Sequence, residues 1–231
     1  ERIPLTIADA DIEAGTITIV TQNIGYSTAK LMELQVGDEI MDVIGPLGQP
    51  THIEKHDGIV LCVGGGVGIA PLHPIAQAHH NNGNRVISIL GARDKSLIIM
   101  EDMMKKISEE TLICTDNGSY GEKGLVTDMI KRVYDKGEKI SEVIAIGPAI
   151  MMKFVAKLTK EYNLPTTVSL NPIMIDGTGM CGCCRVLVGT ETKFACVEGP
   201  EFDGHLVDFD LLMKRQAMYK REEHECNLKL S

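Results

Sequence analysis

The stretch Asp176-Gly-Thr-Gly-Met-Cys181-Gly-Cys183-Cys184, followed by Cys196, sets sulfur donors and one carboxylate at metal-cluster spacing. Written as D-x4-C-x2-C-x11-C, it parallels the C-x4-C-x2-C run plus distant fourth cysteine that holds a plant-type [2Fe–2S] cluster, with Asp176 in the first position. A carboxylate carries the same negative charge as a thiolate and a lone pair, although it is the harder donor. Glycines in the loop let backbone N–H groups approach the sulfur atoms. Asp176, Cys181, Cys184 and Cys196 are therefore the expected iron ligands, with Cys183 as the rival to Asp176. Structural zinc is the alternative for clustered cysteines, but zinc ribbons carry two separated C-x2-4-C knuckles and this chain has one. A disulfide framework fits less well, because Cys183 and Cys184 are vicinal and Cys62, Cys114 and Cys226 are scattered.

A second constellation lies upstream. The apolar run 59–63 feeds Gly64-Gly65-Gly66-Val67-Gly68-Ile-Ala-Pro71, which reads as a buried strand, a glycine loop and a helix with proline in its first turn. Ile69 replaces the last glycine of the G-x-G-x-x-G fingerprint, yet backbone bared this way suits a diphosphate or a flavin edge. Further strands at 85–90, 112–115 and 142–146 alternate with helices at 124–133 and 149–162, the pattern of a parallel sheet with helical crossovers. Their ends carry Gly91 and Arg93, then Asp116, then Gly147-Pro148. Falling on one sheet edge, these loops are better explained by a ligand than as separate turns.

The elements before this sheet read as a small antiparallel β unit. Residues 16–20 alternate as a half-buried strand and a helix is expected over 28–34. A strand follows at 39–44 between Gly37-Asp38 and Gly45-Pro46-Leu47-Gly48. The helix start at Gly25-Tyr-Ser27-Thr28 offers N–H groups and hydroxyls to a pyrophosphate, or simple N-capping. After the sheet, strands are expected at 185–188 and 193–195 and a helix from 207 to about 221. This divides the chain into units at 1–57, 58–165 and 166–231. The chain opens at Glu1 inside a strand pattern, so more of the first unit is expected upstream.

Composition sets limits. With 231 residues, 44% of them hydrophobic, the chain can bury real cores. Its 32 acidic residues outweigh 23 basic ones, and no basic run is present, which argues against nucleic acid as a partner. The most apolar stretch, 58–70, is broken by glycines and stops at Pro71, so it reads as a buried strand and loop rather than a membrane span. Cysteines without an evident pairing scheme point to a reducing cytoplasm. The methionine-rich segments around Met100, Met103, Met104, Met151 and Met152 read as gap-filling core or interface, His73 as packed, His79-His80 as a helix end, and His205 and His224 as surface.

The order Arg2-x-Pro4-Leu5-Thr6, Gly25-Tyr-Ser27-Thr28, Gly45-Pro46-Leu47-Gly48, Gly64 to Pro71, Gly147-Pro148 and a C-terminal cysteine loop resembles the ferredoxin–NADP reductase superfamily over the whole chain. Within it, the electron-transfer subunits of dihydroorotate dehydrogenase look similar. The small subunits of NADH-dependent reduced ferredoxin:NADP oxidoreductase, the electron-bifurcating transhydrogenase, look closer still. Asp176 discriminates between them, because the former are expected to carry four cysteines and the latter the aspartate.

The resemblance implies a partial flavin-binding β-barrel, then an NAD(H)-binding parallel-sheet domain, then a [2Fe–2S] subdomain. FAD would lie between the first two, with Pro4, Leu5 and Thr6 along the isoalloxazine and Gly25, Ser27 and Thr28 near the pyrophosphate. Arg2 would meet flavin phosphates, although it stands four residues before Thr6 where the family spacing is three. NAD(H) would cross Gly64, Gly65, Gly66, Val67, Gly68, Pro71, Gly91, Arg93, Asp116, Gly147 and Pro148. No side chain is expected as acid or base. A larger flavin and iron–sulfur subunit is the implied partner in a heterodimer, with ferredoxin reached through it. About 57 residues cannot supply the family's six-stranded barrel, so its remaining strands are expected before Glu1.

Overall fold

The computed structural model describes residues 3–230; Arg2, one of the expected flavin contacts, lies outside them. Antiparallel strands β1 (Ile7–Asp11) and β2 (Thr16–Ile19) lead to a short helix α1 (Tyr26–Met32). The expected strand at 39–44 is absent as a regular element. A strand is stabilised by its neighbours' N–H and C=O groups, and among the described residues none pairs with it. Ile40, Met41, Val43 and Ile44 are exposed. Only a two-stranded ribbon, and no closed barrel, is found among the described residues of this unit.

The next unit is the α/β layer expected from the alternation. Strand β3 (Ile59–Gly65) is buried from end to end, as a central parallel strand covered on both faces must be. A 3-10 turn over Gly66–Gly68 leads into α2 (Ile69–Asn81), followed by β4 (Arg85–Ala92), α3 (Glu101–Ile107), β5 (Glu110–Thr115), β6 (Glu122–Lys123), α4 (Val126–Asp135), β7 (Ile140–Ile146), α5 (Ala149–Glu161) and β8 (Thr166–Ser169). A hairpin of β9 (Arg185–Val188) and β10 (Glu191–Phe194) precedes α6 (Ala195–Glu198). Strand β11 (Glu201–Asp203), α7 (Phe209–Gln216) and α8 (Lys220–Leu230) close the chain, so the helix expected over 207–221 is two helices with a turn between them.

The main sheet runs β11-β8-β7-β3-β4-β5-β6, all parallel except β11. From β3 the chain winds outward through β4, β5 and β6, then returns to β7 on the other side of β3. That reversal puts the topological switch between the carboxyl ends of β3 and β7. Helix α4 is strongly amphipathic; its Val126, Met129, Ile130 and Val133 join Met152 and Val155 of α5 and Phe209 and Leu212 of α7 against one face of the sheet. On the other face Ile69, Leu72 and Ile75 of α2 pack with Met104 and Ile107 of α3. Met104 and Met152 are fully buried, as core fillers should be. His73 is buried too, its Nδ1 3.0 Å from the carbonyl of Ala8, which ties the first ribbon to α2.

Residues 48–57 strap the first unit to the rest. Gln49 donates from its backbone to the Gly199 carbonyl (2.7 Å) and from Nε2 to the Val197 carbonyl (2.8 Å). Thr51 Oγ1 donates to Glu201 Oε1 (2.6 Å), and the His56 N–H donates to Asn84 Oδ1 (2.8 Å).

Candidate cofactor cleft and metal centre

One open cleft of about 2930 Å³ runs between the β1–β2 unit, the carboxyl edge of the main sheet and the cysteine loop. Pro4, Leu5, Thr6, Ser27 and Thr28 line it from the first unit. Gly65 to Gly68, Pro71, Gly91, Arg93, Asp116, Gly147 and Pro148 line it from the sheet edge, and Asp176, Gly177 and Cys196 from the loop. Gly25, Gly64, Cys181 and Cys184 are not among its lining residues; Gly64 and Cys184 are buried, whereas Cys181 is exposed.

The glycines at the switch point divide by cause. A Cβ on Gly68 would stand 2.5 Å from the Ile146 carbonyl oxygen and 2.8 Å from Gly147 Cα; one on Gly65 would stand 2.3 Å from Met151 Sδ, and one on Gly64 2.9 Å from Ile69. Gly68 is required by backbone packing of the loop on β7, whereas Gly64 and Gly65 stand against the side chains of Ile69, Leu72 and Met151, of which the end of Met151 moves most easily. Gly66 differs, having φ +55° and open space where a side chain would be, so its bare backbone faces the cleft. Gly147 packs on Gly65 and Met151 across the switch, and Gly91 leaves room for Val126. Arg93 and Asp116 sit on loops that hold one another: the Asp116 N–H donates to the Ala92 carbonyl (3.0 Å) and the Asn117 N–H to the Arg93 carbonyl (3.2 Å). Asp94 caps the next turn through Ser96 N (2.9 Å), and the hydroxyl and amide of Ser96 hold its carboxyl below the usual range.

At α1, Thr28 Oγ1 accepts from the N–H groups of Ile24 and Gly25 (both 3.1 Å) and donates to the Gly25 carbonyl (3.0 Å). That hydroxyl closes the helix start, as N-capping would have it, while the side of the turn carrying Ser27 faces the cleft.

In the cysteine loop the expected ligands fall into two pairs. Asp176 Oδ2 accepts from the Cys181 N–H (3.0 Å), and Oδ1 from the Thr178 N–H (2.8 Å) and the Thr178 hydroxyl. The Cys181 thiol and then Thr178 hold this carboxyl well below the usual carboxylate range, so it is an anion. Cys184 Sγ and Cys196 Sγ lie 3.2 Å apart, both buried, and the Cys196 N–H points at Cys184 Sγ (3.5 Å). Burial, then the contact with Cys184, pushes the Cys196 thiol up to about 11, while the Gly179 amide favours its thiolate. Glycines 177, 179 and 182 all have positive φ, and a Cβ on Gly179 would meet Val197 at 2.7 Å. Cys183 stands by the Cys181 thiol, which raises its own, and its carbonyl accepts from Arg215 (3.1 Å).

This donor set fits a two-iron cluster. Each tetrahedral iron takes two protein donors, and metal–sulfur bonds of about 2.3 Å put paired thiolates roughly 3.7 Å apart, close to the Cys184–Cys196 separation. A single zinc would need four donors around one point. Among the described residues, no three His, Cys, Asp or Glu side chains converge in that way. All seven cysteines are unbridged.

Several cleft residues carried no sequence signal. Thr51 and Glu201 line the wall beside the cysteine loop, and Met151 fills the notch left by Gly65 and Gly147. Thr51 sits in an irregular linker and Glu201 on a three-residue edge strand, neither of which has a periodicity to read.

Comparison with known proteins follows the same division. A family model described as the iron–sulfur cluster binding domain of dihydroorotate dehydrogenase B matches residues 171–208, and one described as an oxidoreductase NAD-binding domain matches 62–157. The chain is 51% identical, over 96% of its length and 78% of the relative's, to a dihydroorotate dehydrogenase B (NAD(+)) electron transfer subunit homolog from Thermotoga maritima. It is 35% identical to the dihydroorotate dehydrogenase B electron transfer subunit of Geobacillus kaustophilus, over 87% of this chain and 77% of that one. A solved structure of NADH-dependent reduced ferredoxin–NADP oxidoreductase, described for flavin-based electron bifurcation, superposes with a TM-score of 0.92 at 49% identity. It covers 100% of this chain and 82% of its counterpart.

Proposed function

The chain belongs to the family of dihydroorotate dehydrogenase B electron-transfer subunits and their homologues, and from that premise we propose how its cleft works. It is an NAD(H)-dependent oxidoreductase subunit that moves electrons between NAD(H), FAD and a [2Fe–2S] cluster, and passes them to a larger partner subunit. We read the complex as a heterodimer of the NADH-dependent reduced ferredoxin:NADP oxidoreductase type, in the reducing cytoplasm, with ferredoxin served through the partner. One observation carries the reading: the candidate flavin, dinucleotide and cluster residues share the wall of a single cleft.

Residues 1–57 contribute to the flavin-binding β domain, 58–165 form the dinucleotide domain and 166–231 the cluster subdomain. Pro4, Leu5 and Thr6 support the isoalloxazine, and the turn at Gly25, Ser27 and Thr28 takes the pyrophosphate. Gly66 and Val67 present backbone to NAD(H), held at the crevice by the packing of Gly64, Gly65 and Gly68. Pro71, Gly91, Arg93, Asp116, Gly147 and Pro148 shape the rest of that crevice. Asp176 and Cys181 hold one iron, Cys184 and Cys196 the other. Together, bound flavin and cluster supply the conversion of a two-electron hydride into single-electron transfers. The protein sets position and, through N–H groups directed at sulfur and the hard oxygen donor Asp176, the cluster's potential.

The test is anaerobic purification followed by iron, sulfide and flavin analysis and a visible spectrum. Two irons and one flavin per chain, bleached by NADH, are expected; a colourless zinc protein would overturn the reading. The identity to dihydroorotate dehydrogenase subunits favours one second reading, in which the partner is a dihydroorotate-oxidising enzyme. Copurification with that enzyme decides for it.

A further inference from the structure

We propose that Glu201, backed by Glu142 and His56, is the proton-holding wall of the cofactor cleft, giving up and taking back the proton that accompanies reduction and reoxidation of the flavin. The proposal rests on the reading of the cleft as a flavin and NAD(H) site.

Glu201 lines the cleft and accepts from Thr51 Oγ1 through Oε1, leaving Oε2 to carry a proton. Its residue opposes Ser169 in the β11–β8 register. Thr167, two positions from Ser169 on the same face, donates to Glu142 Oε1 (2.9 Å). Glu201, Ser169, Thr167 and Glu142 thus form a polar row across one face of the sheet, under the linker that carries Thr51 and His56. His56 Nε2 stands 3.2 Å from Glu142 Oε2, within ion-pair range though off the line of a hydrogen bond. Behind it lies His79, fully buried, with Nδ1 3.1 Å from Asn84 Nδ2 and no protein partner at Nε2. Asn84 in turn donates to the Glu54 carbonyl (2.8 Å). Cys62, buried on β3, feels the Glu142 charge from the same face.

Neither carboxylate pairs with a lysine or arginine among the described residues. A partly buried acid without a cation is costly to the fold as a carboxylate, so Glu201, at the cleft end of this row, is retained against that cost. Burial, and then the charge of Glu142, raise the Glu201 carboxyl, while Thr51 opposes them.

Hydride transfer itself needs no acid or base. Balanced, however, it reads NADH + FAD + H⁺ → NAD⁺ + FADH₂, and departure of the two electrons to the cluster returns two protons. The reaction needs one proton that the hydride does not bring. Glu201 Oε2 supplies it and becomes a carboxylate; on reoxidation one of the two released protons returns to Glu201, and the other, which arrived with the hydride, leaves to solvent along the row by way of Glu142 and His56.

The experiment follows the carboxyl of Glu201 by NMR on the full chain with ¹³C-labelled glutamate, assigned by Glu201→Gln. Glu201 is expected to titrate above free glutamate, to move down in Glu142→Gln, which removes the like charge, and to move up in Thr51→Val. This arm needs no flavin; titration of Glu201 as an ordinary glutamate overturns the relay. In the flavin-loaded protein, the midpoint potential against pH should bend at the Glu201 titration. The bend should vanish in Glu201→Gln and shift to lower pH in Glu142→Gln. A purely structural Glu201 would leave the bend in place in both variants, and that result also overturns the proposal. Flavin content, measured separately, tests the reading of the cleft and not the relay.

Discussion

Replacing Gly68 or Gly66 by alanine separates packing from ligand approach at the switch point. Gly68 has an ordinary φ of −63°, so Gly68→Ala meets no backbone strain, but its methyl would lie 2.5 Å from the Ile146 oxygen and 2.8 Å from Gly147 Cα. Both neighbours are backbone and cannot rotate away, which places the cost at the upper end of overpacking, about 3 kcal/mol. At roughly 2–4 °C per kcal/mol for a domain of this size, thermal unfolding should come about 6–12 °C earlier. Gly66→Ala meets no neighbour and suffers only its left-handed φ of +55°, a cost of about 1–2 kcal/mol. Its methyl instead enters the open space at Gly66 through which, on the proposed reading, NAD(H) reaches the loop amides. Circular-dichroism melts without ligand, paired with NADH titration calorimetry well below the melting point, give the comparison. Gly66→Ala should weaken NADH at least tenfold while remaining the more stable variant. Should Gly66→Ala keep full NADH affinity, or melt as early as Gly68→Ala, the division of the glycines by cause is wrong.

Three further outcomes follow from local geometry. Asp176→Ala should lose cluster iron on anaerobic purification while Cys183→Ala retains it: both groups stand beside Cys181, but Asp176 occupies the first position of the ligand spacing and its carboxylate accepts the Cys181 N–H; iron analysis of the two reverses or upholds the assignment. Burial, then neighbouring carboxylates led by Asp116, push the Cys114 thiol from 9.0 up to about 12. A thiol that binds its proton more tightly when folded contributes stability that is complete below pH 9 and drains away as pH rises toward 12. At pH 11 this is on the order of 2–3 kcal/mol. Urea titrations across pH 8–11 should show this alkaline loss diminished in Cys114→Ala, whatever that variant costs at neutral pH. Thr28→Val removes the acceptor of the Ile24 and Gly25 amides; a loss of about 1 kcal/mol should speed hydrogen exchange at those two amides about fivefold and weaken FAD. Unchanged exchange would mean that the hydroxyl does not hold the turn.

What was legible in the sequence was whatever a short segment decides for itself. Strand β3 was visible because an unbroken apolar run cannot be half-exposed, and the cysteine loop because its ligand spacing is local. The glycine loop was half read. Its exposure to the cleft was expected, yet the geometry gives Gly64, Gly65 and Gly68 to packing on Ile69, Met151 and Ile146 and leaves Gly66 as the open one. A glycine's partner across a sheet is invisible along the chain. The expected strand at 39–44 misled for the opposite reason, since apolar content can suggest a strand but only a paired neighbour makes one. Strands β8 and β11 passed unseen, being too short for a period to repeat. With them went the row Glu201, Thr167 and Glu142, whose members come from three strands and meet Thr51 and His56 only through the fold. Electron carriers in this chain are therefore announced by motif, whereas any group that manages the accompanying proton has to be found in space, because protons can be handled by common residues at any spacing that topology brings together.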